Sequence, residues 1–190
     1  MSRPCQRLRR GIGAVMNYAW WSWRFGGFGF RSRLSSPALL TNSSRVRIGK
    51  GVSIRKGSRI EVVGEAGTIE IGDGTSIQFD FHCGAANQVV IGKDVLIAGR
   101  VYISDHDHVF DHLELPPRLC RELVSSPVII EDGVWLGEGC VVLKGVRIGR
   151  RSVVGANAVV TRSVPDGCVV CGVPAKIVRR ISIDDTAQKL

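Results

Sequence analysis

Histidine and aspartate cluster in one short segment of this 190-residue chain, and these side chains have the chemistry of proton transfer. Three of the four histidines lie between His106 and His112, and His82 is the fourth. A neutral imidazole suits a general base because its pKa lies near working pH. Asp105 or Asp107 would orient such a ring and stabilise its charged form; the alternative is that both are turn residues.

The elements that position these side chains follow a six-residue period. Aliphatic residues stand at every sixth position from residue 130 to residue 160, and small or β-branched residues stand four positions after each. The aliphatic series is Ile130, Leu136, Val142, Ile148, Val154 and Val160, and shorter blocks upstream are Ile48, Ile54, Ile60; Ile71, Ile77; and Ile91, Ile97, Ile103. This period predicts an all-β fold, a parallel β-helix of hexapeptide repeats. A β-sandwich would need two-residue alternation and hairpin turns, which are not evident.

Breaks in the period divide the chain. The register slips near residues 61–70, 83–90 and 109–129, where we expect insertions. We predict an N-terminal arm over 1–45, a β-helix over 46–175 with an inserted loop at 109–127, and a short C-terminal helix or tail over 176–190. The inserted loop is polar and long for a compact domain, which predicts that it closes over a substrate.

The N-terminal arm is basic and aromatic. Residues 1–60 contain 13 Lys or Arg and no acid, whereas residues 61–190 contain 13 basic and 17 acidic residues. Seven of the 12 aromatic residues lie between Tyr18 and Phe30. Three roles remain open for this composition: a cap on the open end of the β-helix, peripheral membrane contact through residues 1–33, and nucleic-acid binding, which we consider the weakest.

The cellular setting follows from what the sequence lacks. No secretory signal precedes the six cysteines, and no stretch reaches the ~20 apolar residues that span a bilayer. We therefore expect reduced thiols and a cytoplasmic location, with peripheral contact at the inner face of the membrane as the alternative for the arm.

Several motifs between residues 91 and 180 are specific enough to indicate a family. They are Ile91-Gly-Lys-Asp-Val95, Tyr102-Ile-Ser-Asp-His106, Gly133-Val-Trp-Leu-Gly137, Val146-Arg-Ile-Gly149, Val154-Gly-Ala-Asn-Ala158, Val160-Thr-Arg-Ser-Val-Pro165 and Gly172-Val-Pro-Ala-Lys176. Together they resemble the hexapeptide-repeat acyltransferases, above all the maltose and galactoside acetyltransferase-like group and the sugar O-acetyltransferases of polysaccharide pathways. The resemblance implies a left-handed β-helix, acetyl-coenzyme A as co-substrate, and homotrimers with active sites between neighbouring chains.

The resemblance also implies roles for individual residues. His106, four residues after Tyr102, takes the place of the catalytic base. Apart from the resemblance, we take Asp105 as its partner and His108 as the fallback base or a substrate contact. Donor-site residues by the same match are Trp135, Gly137 and Ala156 for the pantetheine arm, and Thr161, Lys176 and Arg179 for the adenosine end. Asp80 and His82 stand where related enzymes carry acceptor-facing Asn residues, and Glu138 replaces a small polar residue.

These features leave three functional hypotheses. The first is O-acetylation of a sugar or lipid-linked sugar in surface polysaccharide or glycolipid biosynthesis; its close alternative is N-acetylation of a nucleotide-linked amino sugar. The second is a non-catalytic β-helix scaffold. The third is a zinc hydratase using His82, His106 and His108, like the β-helical carbonic anhydrases. The metal spacing of those enzymes is not found here, so we expect no metal.

Overall fold

The six-residue period folds into a triangular column of stacked coils. The computed structural model describes residues 17–110 and 116–181, and these form six complete coils and a partial seventh. Each coil contributes one short strand to each of three parallel faces, because a turn follows every strand. The column is therefore the parallel β-helix that the period predicts.

The three faces, named A, B and C in chain order, are continuous ladders of parallel strands, except that the last strand of face B lies antiparallel to its neighbour. Face A contains β1 Gly27–Phe28, β4 Val46–Ile48, β7 Thr68–Ile71, β10 Gln88–Ile91, β15 Val128–Ile130 and β18 Arg147–Ile148. Face B contains β2 Arg33–Leu34, β5 Ser53–Ile54, β8 Ser76–Ile77, β11 Leu96–Ile97, β16 Trp135–Leu136, β19 Val153–Val154, β21 Cys168–Cys171 and β22 Lys176–Arg180. Face C contains β3 Leu39–Thr41, β6 Arg59–Val62, β9 His82–Ala85, β12 Tyr102–Ser104, β17 Val141–Val142 and β20 Val159–Val160.

The repeat residues form one buried column behind each face. On face B, Leu34 pairs with Ile54, and the register continues through Ile77, Ile97, Leu136, Val154 and Val170. Each of these side chains is at most 2% exposed. An aliphatic residue in every coil thus contacts the equivalent residue in the coils above and below, so burial and strand register reinforce each other.

Buried hydroxyls bind successive coils at the corner between faces A and B. The Thr75 hydroxyl donates to the Gly92 carbonyl and accepts from the Val95 amide, and Ser32 and Ser152 make equivalent pairs of hydrogen bonds. These hydroxyls occupy corner positions that hold valine in other coils. Because each of these hydroxyls forms hydrogen bonds with the next coil, its burial leaves its oxygen with hydrogen-bond partners.

The column begins earlier than the predicted boundary at residue 46. Phe28 of β1 pairs with Ile48, and Leu34 and Leu40 follow at intervals of six, so the first coil starts at Gly27. An aromatic residue at the head of this series hides the aliphatic pattern in the sequence. A helical turn at residues 17–21 precedes it, and Trp21 and Phe25 join the buried core, so this part of the predicted arm caps the column.

The C-terminal segment also differs from the predicted helix or tail. Lys176–Arg180 forms strand β22, which pairs antiparallel with β21 at the last edge of face B. The β-branched residues Ile177 and Val178 suit a strand, and the unpaired backbone of the last coil supplies its partner. Residues 182–190 lie outside the described residues.

The insertion between faces C and A leaves the column as a hairpin. Strands β13 His106–His108 and β14 Leu123–Ser125 pair antiparallel, with His106 opposite Ser125. The excursion therefore starts at residue 106, three residues before the predicted loop. Two 3-10 turns, Ser43–Arg45 and Pro117–Leu119, complete the described elements.

Adjacent isoleucines of β15 test the role of the buried columns. Ile130 is fully buried, whereas its neighbour Ile129 is 36% exposed. We expect Ile130→Ala to lower the free energy of unfolding by about 2–5 kcal/mol, because it opens a cavity in the column. Ile129→Ala should cost less than about 1 kcal/mol. Urea denaturation of both variants measures the difference, and equal losses would contradict the inward column.

Candidate active site

Asp105 and His106 form a hydrogen-bonded pair at the corner where face C ends. The Asp105 carboxylate is fully buried, and its Oδ1 lies 2.9 Å from Nδ1 of His106. Backbone amides of Ala86 and Asn87 each donate to this carboxylate at 2.8 Å. A carboxylate with three such partners is held as the charged acceptor, so Nδ1 carries the proton and Nε2 is left for chemistry.

The turn into the hairpin fixes the orientation of His106. The Ser104 hydroxyl donates to the His106 carbonyl at 2.8 Å and accepts from the His106 amide at 3.2 Å. The side chain of His106 is only 16% exposed. These contacts hold the imidazole at the mouth of a cavity rather than in bulk solvent.

That cavity has a volume of about 270 Å³ and lies against face C. Its polar walls come from Arg59 and Glu61 of β6, His82 of β9, and Tyr102, His106 and His108 around β12 and β13; Val63, Gly84 and Leu123 complete it. Three successive coils contribute, because outward-facing residues of paired strands stand side by side. The structure therefore brings the predicted base together with His82 and His108, and not with Asp80.

His82 is the most perturbed titratable group in this cavity. Burial lowers its pKa from the ordinary value, and Arg59 and His106 act in the same direction. The carboxylate of Glu61, whose Oε1 lies 3.0 Å from His82 Nε2, opposes that shift. The His82 ring also packs edge-on against the Tyr102 ring, with 4.9 Å between the ring centroids. His82 thus favours its neutral form, in which one ring nitrogen donates and the other accepts hydrogen bonds.

Asp107 and His108 are placed differently from Asp105 and His106. Asp107 forms an ion pair with Lys144 of the following coil, so of the two aspartates it is Asp105 that contacts the His106 ring. His108 is exposed and pairs with Leu123 across the hairpin. The choice that the sequence left open between the two aspartates is decided by these contacts.

The predicted donor-site residues follow one edge of the column. Trp135 projects from face B and is 49% exposed. Gly137 follows it at the corner between faces B and C, where an ideal Cβ would lie 2.7 Å from the Ala156 amide nitrogen. Ala156 is exposed on the next coil. Backbone and small side chains thus line this edge beside an indole, a surface that fits an extended pantetheine arm.

The remaining predicted contacts lie elsewhere on the column. Thr161 is exposed at the corner between faces C and A, and Lys176 and Arg179 are exposed on β22. Asp80 occupies the turn before β9 and lines a second cavity with Arg100 and Glu138. The Glu138 carboxylate there pairs with Arg100 at 3.1 Å and accepts from the Gly99 amide. Asp80 is therefore separated from His106 by the width of face C.

Gly84 and Glu61 line this cavity, and neither was predicted from the sequence. Gly84 lies inside β9, and an ideal Cβ there would lie 3.2 Å from Cε1 of His106, so the absent side chain makes room for the ring. A glycine within a strand signals a close approach, which was the available clue. Glu61 gave no such signal, because only the stacking of β6 beside β9 brings it to His82.

Comparison with known proteins fits this geometry. Residues 127–162 match the bacterial transferase hexapeptide family (six repeats). A protein named lipopolysaccharide biosynthesis O-acetyl transferase WbbJ, from Escherichia coli strain K12, is 38% identical over 151 residues, covering 76% of this chain and 76% of that protein. The chain belongs to the hexapeptide-repeat acetyltransferase family. It is an acyl-coenzyme A-dependent acetyltransferase.

Two further relatives of this acetyltransferase extend the comparison. The galactoside O-acetyltransferase of Escherichia coli K12 is 41% identical over 97 residues, covering 51% of this chain and 46% of that protein. A hexapeptide-repeat acetyltransferase of Vibrio cholerae O1 biovar eltor, solved with acetyl-coenzyme A, superposes with a TM-score of 0.59 at 31% identity. That alignment covers 88% of this chain and 78% of the other.

Metal-binding clusters and membrane-spanning helices are both absent from residues 17–110 and 116–181 of the acetyltransferase. Within these ranges no three His, Cys, Asp or Glu side chains are grouped to hold a metal ion. The same ranges contain no helix with the length and apolarity that crossing a bilayer requires.

Gly84→Ala tests whether His106 needs the space above β9. The added methyl group would displace the ring by a few tenths of an ångström, so we expect kcat to fall by roughly 10-fold with the fold intact. Steady-state kinetics and circular dichroism measure the two effects. The control is Ala85→Gly, which lies on the inner side of the same strand and reports the effect of a general weakening of that strand. Unchanged turnover in Gly84→Ala would contradict the packing.

His82 gives the stability a pH dependence. Its folded-state pKa lies below the ordinary value of 6.5, so its contribution is complete above that value and is lost as the pH falls through the folded pKa. We expect His82→Gln to lose less stability than the parent between about pH 7 and about pH 5. Urea midpoints across this range measure the slope. His108→Gln, at an exposed position, is the control; an unchanged slope for His82→Gln would refute the assignment.

Proposed function

We propose that this acetyltransferase moves an acetyl group from acetyl-coenzyme A to a hydroxyl of a sugar in surface polysaccharide or glycolipid biosynthesis, with His106 as general base. The observation that carries the proposal is the Asp105–His106 pair, whose carboxylate is buried and anchored by two amides at the wall of a polar cavity. The names of the lipopolysaccharide and galactoside relatives support the class of acceptor.

The reaction needs one proton transfer in each direction. Nε2 of His106 takes the proton from the acceptor hydroxyl as its oxygen attacks the thioester carbonyl carbon. The tetrahedral intermediate collapses with cleavage of the carbon–sulfur bond. The protonated imidazole then returns the proton to the departing sulfur, which yields the acetyl ester and free coenzyme A.

Asp105 stabilises the charge that this transfer creates. The carboxylate lies 2.9 Å from Nδ1, so it faces a full positive charge once Nε2 is protonated. Because two backbone amides hold the carboxylate in place, no reorganisation accompanies the step. Its role is to position the ring and to stabilise imidazolium, while His106 alone contacts the reacting oxygen.

The cavity beside His106 suits a polyhydroxyl acceptor. Arg59 supplies hydrogen-bond donors, Glu61 supplies acceptors, and neutral His82 supplies one of each. A sugar presents hydroxyls that both donate and accept, so it can satisfy all three groups at once.

The same arrangement favours a homotrimer. His106 lies at the corner after face C, whereas Trp135, Gly137 and Ala156 line the edge between faces B and C. A thioester bound along that edge would be a face width away from the His106 of its own chain. A neighbouring chain that places its His106 against this edge would complete the site, which is the assembly that the family resemblance implies.

His106→Ala tests the base. With acetyl-coenzyme A and a panel of soluble sugars, release of free thiol should fall by ~10²-fold or more, because the proton acceptor is removed. Acetyl-coenzyme A affinity, measured by calorimetry, should stay within about 3-fold of the parent, since His106 lies off the donor edge.

The comparison variant is His108→Ala, an exposed imidazole two residues away that lines the same cavity, and its loss of thiol release should be the smaller of the two. Turnover near that of the parent in His106→Ala would remove His106 from the role. Failure of the unmodified protein to bind coenzyme A would instead favour the hypothesis that the chain is a non-catalytic β-helix scaffold.

A further inference from the structure

The N-terminal end of the column carries aromatic side chains that the acetyl transfer does not use. Trp20, Trp23 and Phe30 are 58%, 69% and 59% exposed. Large exposed aromatics on a folded surface mark a site of contact rather than a packing accident. No carboxylate interrupts this end of the chain, because Glu61 is the first acid in the sequence.

These aromatics stand on a rigid platform. Trp21 is buried and donates its indole N–H to the Leu34 carbonyl. The Asn17 side chain makes two further hydrogen bonds to the backbone of Leu34. Phe25 packs edge-on against Trp21 and joins the core. The helical turn is therefore fixed across the first coil, so Trp20 and Trp23 are presented outward at the end of the column.

Positive charge surrounds the platform. Arg24 lies 5.5 Å from the Trp20 ring centroid and 5.0 Å from that of Trp23, so a guanidinium stands between the two indoles. The other basic residues of 17–60 are all exposed: Arg31, Arg33, Arg45, Arg47, Lys50, Arg55, Lys56 and Arg59. The first carboxylate along the chain is Glu61 in the second coil, where it pairs with Arg59, so the first coil carries positive charge alone.

We propose that this end of the column docks on the surface of an anionic lipid bilayer, with Trp20 and Trp23 in the headgroup region. Indole rings favour the interface because they combine an apolar body with a polar N–H, and arginine favours anionic headgroups. Single-stranded nucleic acid suits the platform less well. Its bases need open ring faces to stack on, and Arg24 lies over both indoles.

The acceptor cavity extends toward the same end. His106 lies in the fourth coil, His82 in the third and Arg59 in the second, so the cavity follows face C down toward the platform. Three coil spacings place His106 roughly 14 Å from the first coil, at about 4.8 Å each. Given the proposed function, a sugar carried on a membrane lipid would reach the cavity from this side, so docking specifies the acceptor as lipid-linked.

Vesicle binding tests the docking without requiring activity. The probes are vesicles of phosphatidylethanolamine with and without phosphatidylglycerol, measured by co-sedimentation of the full chain. We expect the parent to bind only the anionic vesicles, and the variant with both Trp20→Ala and Trp23→Ala to bind at least about 10-fold more weakly. High salt should weaken binding by the parent, because headgroup attraction is screened.

The control alters exposed apolar residues at the opposite end of the column. Val173 and Val178 are 72% and 62% exposed there, and the variant with both changed to Ser should bind vesicles like the parent. If this control bound vesicles more weakly than the tryptophan variant does, the assignment of docking to the N-terminal end of the column would be overturned. The same would follow from equal binding by parent and tryptophan variant, or from binding of single-stranded RNA in place of anionic vesicles.

Activity on soluble sugars separates this inference from the proposed function. The tryptophan variant should keep the parent's thiol release with a soluble acceptor, because both indoles lie far from His106. Tryptophan-dependent vesicle binding without acetyl transfer to any sugar would sink the proposed function and leave docking intact. Acetyl transfer without vesicle binding would sink docking alone.

Discussion

In-register stacking of aliphatic side chains is the interaction on which the rest of this protein depends. One residue per face and per coil contacts its equivalent above and below, as Ile54, Ile77 and Ile97 do on face B. A strand that slipped by one residue would turn this side chain outward, so the buried columns also fix the strand register. Every outward side chain then has a defined neighbour on the next coil, and a site assembled from several coils needs no other scaffold.

The catalytic pair is a local departure from this regularity. At the end of β12 a buried carboxylate stands where the two preceding coils bury Val62 and Ala85, and the chain leaves the column as a hairpin. The cost of burying Asp105 is offset by the amides of Ala86 and Asn87, which the preceding coil supplies. Regular coils above and below keep these donors fixed, so this polar corner remains rigid enough to orient an imidazole.

The two ends of the column solve the problem of unpaired edges in different ways. At the C-terminal end β22 folds back on β21 and covers the last edge of face B. At the N-terminal end a helical turn inserts Trp21 and Phe25 over the first coil and leaves Trp20 and Trp23 outside. Capping and surface presentation thus come from one short segment, in which alternate aromatics face opposite ways.

The sequence by itself determined the β-helix, its inward columns and His106 as the candidate base, because a six-residue period and a broken register are local patterns. It also hid the first coil, since Phe28 stands where an aliphatic residue was expected. Only the tertiary structure decided that Asp105 rather than Asp107 holds the ring, that Gly84 makes room for it, and that Glu61 joins His82 in the cavity. Gly84 and Glu61 approach residues of the next coil, and the amides that anchor Asp105 lie 19 and 18 positions before it. Their proximity follows from the stacking of coils, which no local pattern records.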